Sequence, residues 1–221
     1  MALLSERSES VADLACETLL DCHVHRLPVD VIELTRRLQI KVINNQEVDK
    51  LGPEEYGAGY FDGKSWYIVY APCLPVGGIR FTIAHELGHI LLKHTPADGI
   101  PAKEKEEEAD LFAARLLAPP GILRELNAYS ASSISLLCNL SRSCAEMQSK
   151  TMVNLHLARR PEPSGAEKKL IAAFGDYIEN NRLREFRTEL LPPRENSAGK
   201  LYRAVNTRTR RKPSLDIEEK A

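Results

Sequence analysis

The sequence predicts an α+β fold: a small antiparallel or mixed sheet packed on helices, followed by a helical C-terminal region. Three observations carry that prediction. Apolar residues recur at helical spacing in most segments, as at Val11, Leu14, Ala15 and Leu19. Two short β-rich runs flank an Asp62-Gly63 turn signal. Strand signals are confined to residues 40–70, so the sheet is small and the remainder helical.

In chain order, a first helix carries Val11 to Leu19, and a second fits residues 29–38, after Pro28. Residues 40–43 read as a strand. Residues 56–61, Asp62-Gly63 and residues 66–70 read as a β-hairpin, because glycine accepts the positive φ that a tight turn demands. A helix follows over residues 78–93. Beyond a polar loop at 95–101, a helix spans residues 103–117 and stops at Pro119-Pro120, where the missing N–H ends its ladder. A short helix is expected at 122–128, two or three segments within 132–157, and one long amphipathic helix over 166–191, stopped by Pro192-Pro193. Residues 194–221 are polar and aperiodic and read as a flexible basic tail. The expected organisation is a core at 1–125, a helical region at 126–193 and the tail at 194–221.

A chain of 221 residues can bury a core without disulfides or a structural metal. Its 30 basic and 31 acidic residues cancel, so no global field argues for nucleic acid or a membrane surface as partner. Five cysteines, an odd number without a Cys-x-x-Cys pair, suit reduced thiols. No apolar run approaches the ~20 residues of a membrane span, and Glu6, Arg7, Glu9 and Asp13 interrupt any secretory signal. The expectation is a cytoplasmic protein.

The most informative pentapeptide is His85-Glu86-Leu87-Gly88-His89. Residues four apart lie one helical turn apart on one face, so both imidazoles can reach one metal ion while Glu86 projects beside it. Apolar neighbours on both sides, Phe81, Ile83 and Ala84 before and Ile90 to Leu92 after, belong to a buried helix that can hold ligands rigidly. A catalytic zinc commonly takes three protein ligands and leaves a fourth position for water. His94 lies nine residues after His85, which turns it to the opposite face of a continuous helix, and it reads as a surface histidine. A further metzincin-type histidine is absent, since Thr95 stands at its position.

The remaining source is the acidic helix start at 106–110. Ala109, Ala113, Leu116 and Leu117 define an inward face, near which Glu106 falls, whereas Glu107 and Glu108 are expected to point away. An inward carboxylate needs a positive partner, which a zinc ion supplies. Asp110, one turn on, can accept the second ring N–H of a ligand histidine and fix its tautomer.

With these residues in hand, the chain resembles the ImmA/IrrE family of zinc metallopeptidases, a gluzincin-type group with a thermolysin-like zinc site. The likeness rests on Arg80-Phe81-Thr82-Ile83-Ala84-His85-Glu86-Leu87-Gly88-His89 and on Glu106, Ala109, Asp110, Phe112, Ala113, Leu116, Leu117 and Pro119, and covers residues 25–125. The resemblance implies His85, His89 and Glu106 as Zn2+ ligands and Glu86 as general base. It also implies a narrow-specificity endopeptidase whose protein substrate is a regulator, such as a transcriptional repressor of a phage, mobile element or stress response. Two rivals stand beside it: a non-proteolytic anti-repressor with a structural metal, and a DNA-binding regulator with a vestigial peptidase fold. Glu86 argues against both, because a structural metal has no use for a neighbouring base.

Four finer expectations follow. Residues 66–70 read either as an exposed edge to which an extended substrate adds or as an ordinary core strand. An oxyanion donor is sought, unranked, among His94, His156, Tyr56, Tyr60, Tyr67, Tyr70 and Tyr129. Residues 132–157 are similar in spacing to a helix-turn-helix, but a helical subdomain packed on the core is the preferred reading, and the basic run at 200–212 reads as a solvated end.

Overall fold

Helix α1 (Ala2–Asp21) carries one apolar stripe, and the computed structural model, which describes residues 2–157 and 162–182, buries that stripe at Val11, Ala15 and Leu19. Spacing of four keeps those residues on one face, and Thr18 on the same side satisfies its hydroxyl by donating to the Leu14 carbonyl at 2.7 Å. Asp30 caps α2 (Val31–Arg37), its carboxylate accepting from the N–H groups of Ile32 and Glu33.

The sheet is mixed and, among the described residues, three-stranded. Strand β1 (Lys41–Asn44) leads through α3 (Asn45–Val48) to β2 (Gly57–Phe61) and β3 (Trp66–Tyr70). Strand β3 lies in the middle, parallel to β1 with Val42 opposite Ile68, and antiparallel to β2 with Phe61 opposite Trp66. The hairpin closes through Asp62, which accepts from the N–H groups of Lys64 and Ser65, and through Gly63 at φ 90°. The reading of residues 66–70 as the exposed edge is therefore corrected: β3 is central, and the edge strands among the described residues are β1 and β2. Parallel pairing with β1 occupies the other side of β3.

Helix α4 (Val76–Leu91) packs against α5 (Ala102–Leu117). A Cβ at Gly88 would stand 3.2 Å from Ala109 Cα and 3.1 Å from Phe112 Cδ1, so the glycine permits the two backbones to approach. On another side α5 receives α1, and its residues Phe112, Ala113, Leu116 and Leu117 are fully buried.

Helices α6 (Pro120–Glu125), α7 (Ala131–Cys138) and α8 (Arg142–Leu157) follow. The α7–α8 pair adds Ile134, Cys138, Ala145 and Met152 to the core and meets α4, where Arg80 donates to the Cys138 carbonyl at 3.2 Å. Residues 166–191 do not begin as one helix. They form α9 (Gly165–Ala173) and α10 (Gly175–Asn181), because the buried Phe174 takes φ −90°, ψ 7° and breaks the ladder ahead of Gly175. Helix α9 packs on α1 and α6. The expectations for the end of that helix, for Pro192-Pro193 and for the tail lie outside the described residues. None of the described helices is long and apolar enough to cross a membrane.

Candidate metal centre

Helix α4 delivers His85, Glu86 and His89, and α5 delivers Glu106 and Asp110, so the α4–α5 contact builds the site. His85 Nε2 lies 3.0 Å from His89 Nε2 and 3.2 Å from Glu106 Oε2, while His89 Nε2 lies 3.5 Å from Glu106 Oε1. Bonds of about 2.0–2.2 Å in a tetrahedral zinc shell put ligand atoms about 3.3–3.5 Å apart. The three side chains thus converge with the spacing of a metal shell, and they form a group able to hold an ion. Two imidazole nitrogens and a carboxylate oxygen aimed at one point are a donor set that a divalent cation satisfies.

The sequence places Glu106 near the inward face, yet its side chain is 61% exposed. It stands in the first turns of α5, at the rim of the cleft, where it keeps much of its hydration. Asp110, one turn on, points its Oδ1 at His85 Nδ1, 2.9 Å away. Glu107 faces out and pairs with Lys103 at 3.5 Å.

Glu108 corrects the reading made from periodicity. Its side chain is 13% exposed and meets both Arg7 of α1 and His94. Helix α5 has neighbours on two sides, and an acid on the flank facing α1 is enclosed too.

His94 is corrected as well: its side chain is 3% exposed and is not on the surface. Helix α4 ends at Leu91, Lys93 turns left-handed at φ 57°, and the His94 N–H donates to the His89 carbonyl at 3.0 Å while the Lys93 N–H donates to that of Ile90 at 3.2 Å. The reversal brings the His94 ring back onto His89, with Nδ1 to Nδ1 at 2.9 Å.

The ligand set opens into a cleft of about 610 Å³, walled by all five residues of β2, by Trp66, by His85, Glu86, His89 and Ile90, and by the 94–96 loop. A Cβ on Gly57 would collide with Thr82 Cγ2 and come within 3.1 Å of Glu86 Oε1, so β2 lies on α4 only because it is bare there. Sequence reasoning passed over this Gly57-Ala58-Gly59 pattern, whose alternation marks a strand face with no side chains. Of the seven oxyanion candidates, Tyr60 and His94 line the cleft. Both ring nitrogens of His94 are engaged, and the Tyr60 hydroxyl donates to the Lys50 carbonyl at 3.1 Å.

Electrostatics separate the titratable groups. Burial pushes the Glu86 carboxyl above its ordinary range and Glu106 adds to that, against the pull of His85 and the Gly59 N–H. At His85 burial opposes the charged form, but Asp110, Glu86 and Glu106 outweigh it and raise the pKa. At His89 burial and the neighbouring His85 lower it.

An α+β fold in which one helix presents His-Glu-x-x-His and the next supplies a glutamate to the same point defines a metallopeptidase-like domain. Residues 25–146 match the peptidase M78 family, described as the IrrE N-terminal-like domain, and because that stretch is more than half of the sequence the chain belongs to this family. The match extends past residue 125, through α7 and into α8. No curated protein matches the chain.

Proposed function

We propose that this chain is a zinc-dependent endopeptidase of narrow specificity acting in the cytoplasm on a regulatory protein, such as a DNA-binding repressor. One observation carries the reading. Glu86 lies in the same cleft as the His85–His89–Glu106 group, beside the free edge of β2, so a base, a metal-ligand set and a strand-docking edge share one space. A structural metal site has no need of the first or the last.

His85, His89 and Glu106 would hold the zinc, which when bound supplies a Lewis acid that acidifies water and polarises a carbonyl. An extended peptide laid along β2 gains main-chain hydrogen bonds that fix its position over Glu86. The Glu86 carboxylate takes the proton of the attacking water and returns it to the departing amine nitrogen. Its burial helps, since a carboxyl with a raised pKa is a stronger base once ionised. Phe61 and Trp66, with ring centroids 5.2 Å apart and partly exposed at the end of the β-hairpin, offer an apolar wall for substrate side chains.

The test is Glu86→Gln, which keeps the shape and the three ligands. Cleavage of the regulatory protein that serves as substrate should fall by about 10²–10⁴-fold with zinc content unchanged. Repressor inactivation that survives the substitution would move the protein to the non-proteolytic class.

A further inference from the structure

We propose that His94, Glu108 and Arg7 form a relay that fixes the tautomer of His89 and so positions it as a metal ligand, an inference that rests on the assignment of His85, His89 and Glu106 to the metal. The relay is continuous. His89 Nδ1 lies 2.9 Å from His94 Nδ1, His94 Nε2 lies 3.0 Å from Glu108 Oε2, and the Arg7 guanidinium pairs with the Glu108 carboxylate. Glu104 stands at 3.9 Å from the same guanidinium.

Hydrogen-bond chemistry sets the direction of each link. A carboxylate only accepts, so His94 must donate to Glu108 through an Nε2–H. The relay takes His94 as the neutral imidazole, which with its proton on Nε2 has a bare Nδ1 and can only accept there. Between two Nδ1 atoms one must donate, which assigns the proton to His89 Nδ1. His89 Nε2 is then left bare, and it is this atom that faces His85 Nε2 and Glu106. With the opposite tautomer the proton would lie on the ligand nitrogen and block it.

Asp110 does the same for His85 in one step, through Nδ1 at 2.9 Å. Each ligand histidine therefore has its own anchor: a carboxylate from α5 for His85, and a buried imidazole backed by a second α5 carboxylate for His89. The second arm reaches α1, so the N-terminal helix takes part in shaping the centre. The backbone supports this, because the turn that ends α4 brings the His94 N–H onto the His89 carbonyl and the ring onto the ring. His94 and Glu108 are positioning residues, since neither belongs to the convergent ligand group.

The experiment measures zinc affinity of the full chain by competition with a chelator. It uses His94→Leu, His94→Asn, Glu108→Ala and the double variant His94→Asn/Glu108→Ala, with His85→Ala as reference and thermal unfolding of each protein as the check on folding. An asparagine carbonyl stands where Nδ1 was and accepts without any choice of tautomer. His94→Leu should bind about 10–100-fold more weakly, and His94→Asn close to the native chain. Glu108→Ala should weaken binding in the native background and have no further effect beside His94→Asn. A Glu108 that mattered only as an ion-pair partner of Arg7 would weaken both backgrounds alike, which overturns the relay and remains readable if His94→Leu does not fold. Native affinity in folded His94→Leu, with affinity lost in His85→Ala, also overturns it. If His85→Ala keeps native affinity too, the metal assignment itself is wrong. Proton-detected nitrogen NMR of the zinc-loaded protein gives a direct readout: His89 should carry its proton on Nδ1 and His94 on Nε2.

Discussion

Asp110 Oδ1 and His85 Nδ1 stand 2.9 Å apart across the α4–α5 contact, and Asp110 lies one helical turn beyond Glu106. One face of α5 therefore supplies both the carboxylate that joins the ligand group and the carboxylate that orients it. Because His85 donates from Nδ1, its Nε2 is free to face Glu106 at 3.2 Å.

The two carboxylates should differ in their effect on zinc. Glu106→Ala removes a donor from the group and should abolish stoichiometric binding, while Asp110→Ala leaves the group intact and should weaken binding by about 10–100-fold. Glu107→Ala, which loses only the exposed pair with Lys103, should bind as the native chain does. Elemental analysis after dialysis checks all three, and full occupancy in Glu106→Ala would remove it from the ligand set.

The close approach of β2 to α4 predicts a steric effect at Gly57. Gly57→Ala drives a methyl group into Thr82 Cγ2 and toward Glu86, so the strand must shift, at a cost of about 1–3 kcal/mol. Peptidase activity should fall with it, since β2 walls the cleft. Gly52→Ala, whose nearest contact is the flexible Glu55 side chain at 3.5 Å, should change neither. Adding Thr82→Ser removes the obstructing Cγ2 and should restore part of the stability. Thermal unfolding and activity of the four proteins decide, and an unchanged Gly57→Ala would mean that β2 does not press on the helix.

How much of this was legible in the sequence depends on how local each relationship is. His85, Glu86 and His89 share one helix, and spacing alone places them together; Glu106 and Asp110 follow from spacing on a second helix plus the assumption that the two meet. His94 does not, because 100° per residue fails once Lys93 turns left-handed. Glu108 was misread because one inward face was assumed, and α5 is enclosed by α1 as well as α4. The central place of β3 is a matter of tertiary pairing: alternation marks β2 and β3 equally, and it is the parallel docking of β1 against β3 that leaves β2 at an edge. The division of α9 from α10 had a local signal, Gly175 within a charged helical pattern, outweighed there by its periodicity.

Glu86 gives a prediction whose sign is fixed by burial. Its carboxyl pKa in the metal-free fold is raised above the ordinary 4.5, first by desolvation and then by Glu106, against the partial offset of His85 and the Gly59 N–H. A raised folded value means that folding favours the neutral carboxyl. That contribution to stability is fully present below the unfolded pKa near 4.5 and is lost as pH rises through the folded value. At neutral pH, above the unfolded pKa, the native metal-free chain therefore carries the stability cost of that raised pKa. Glu86→Gln removes the charge and keeps an acceptor for the Gly59 N–H, so the metal-free variant should melt higher than the native chain at pH 7. Each kcal/mol corresponds to about 2–4 °C in a chain of this size. The advantage should shrink on acidification and vanish below pH 4.5, where both side chains are neutral. Melting curves of the two metal-free proteins across that range check it, and an advantage that grew toward acid pH would show that the ionised form of Glu86 is the one the fold favours.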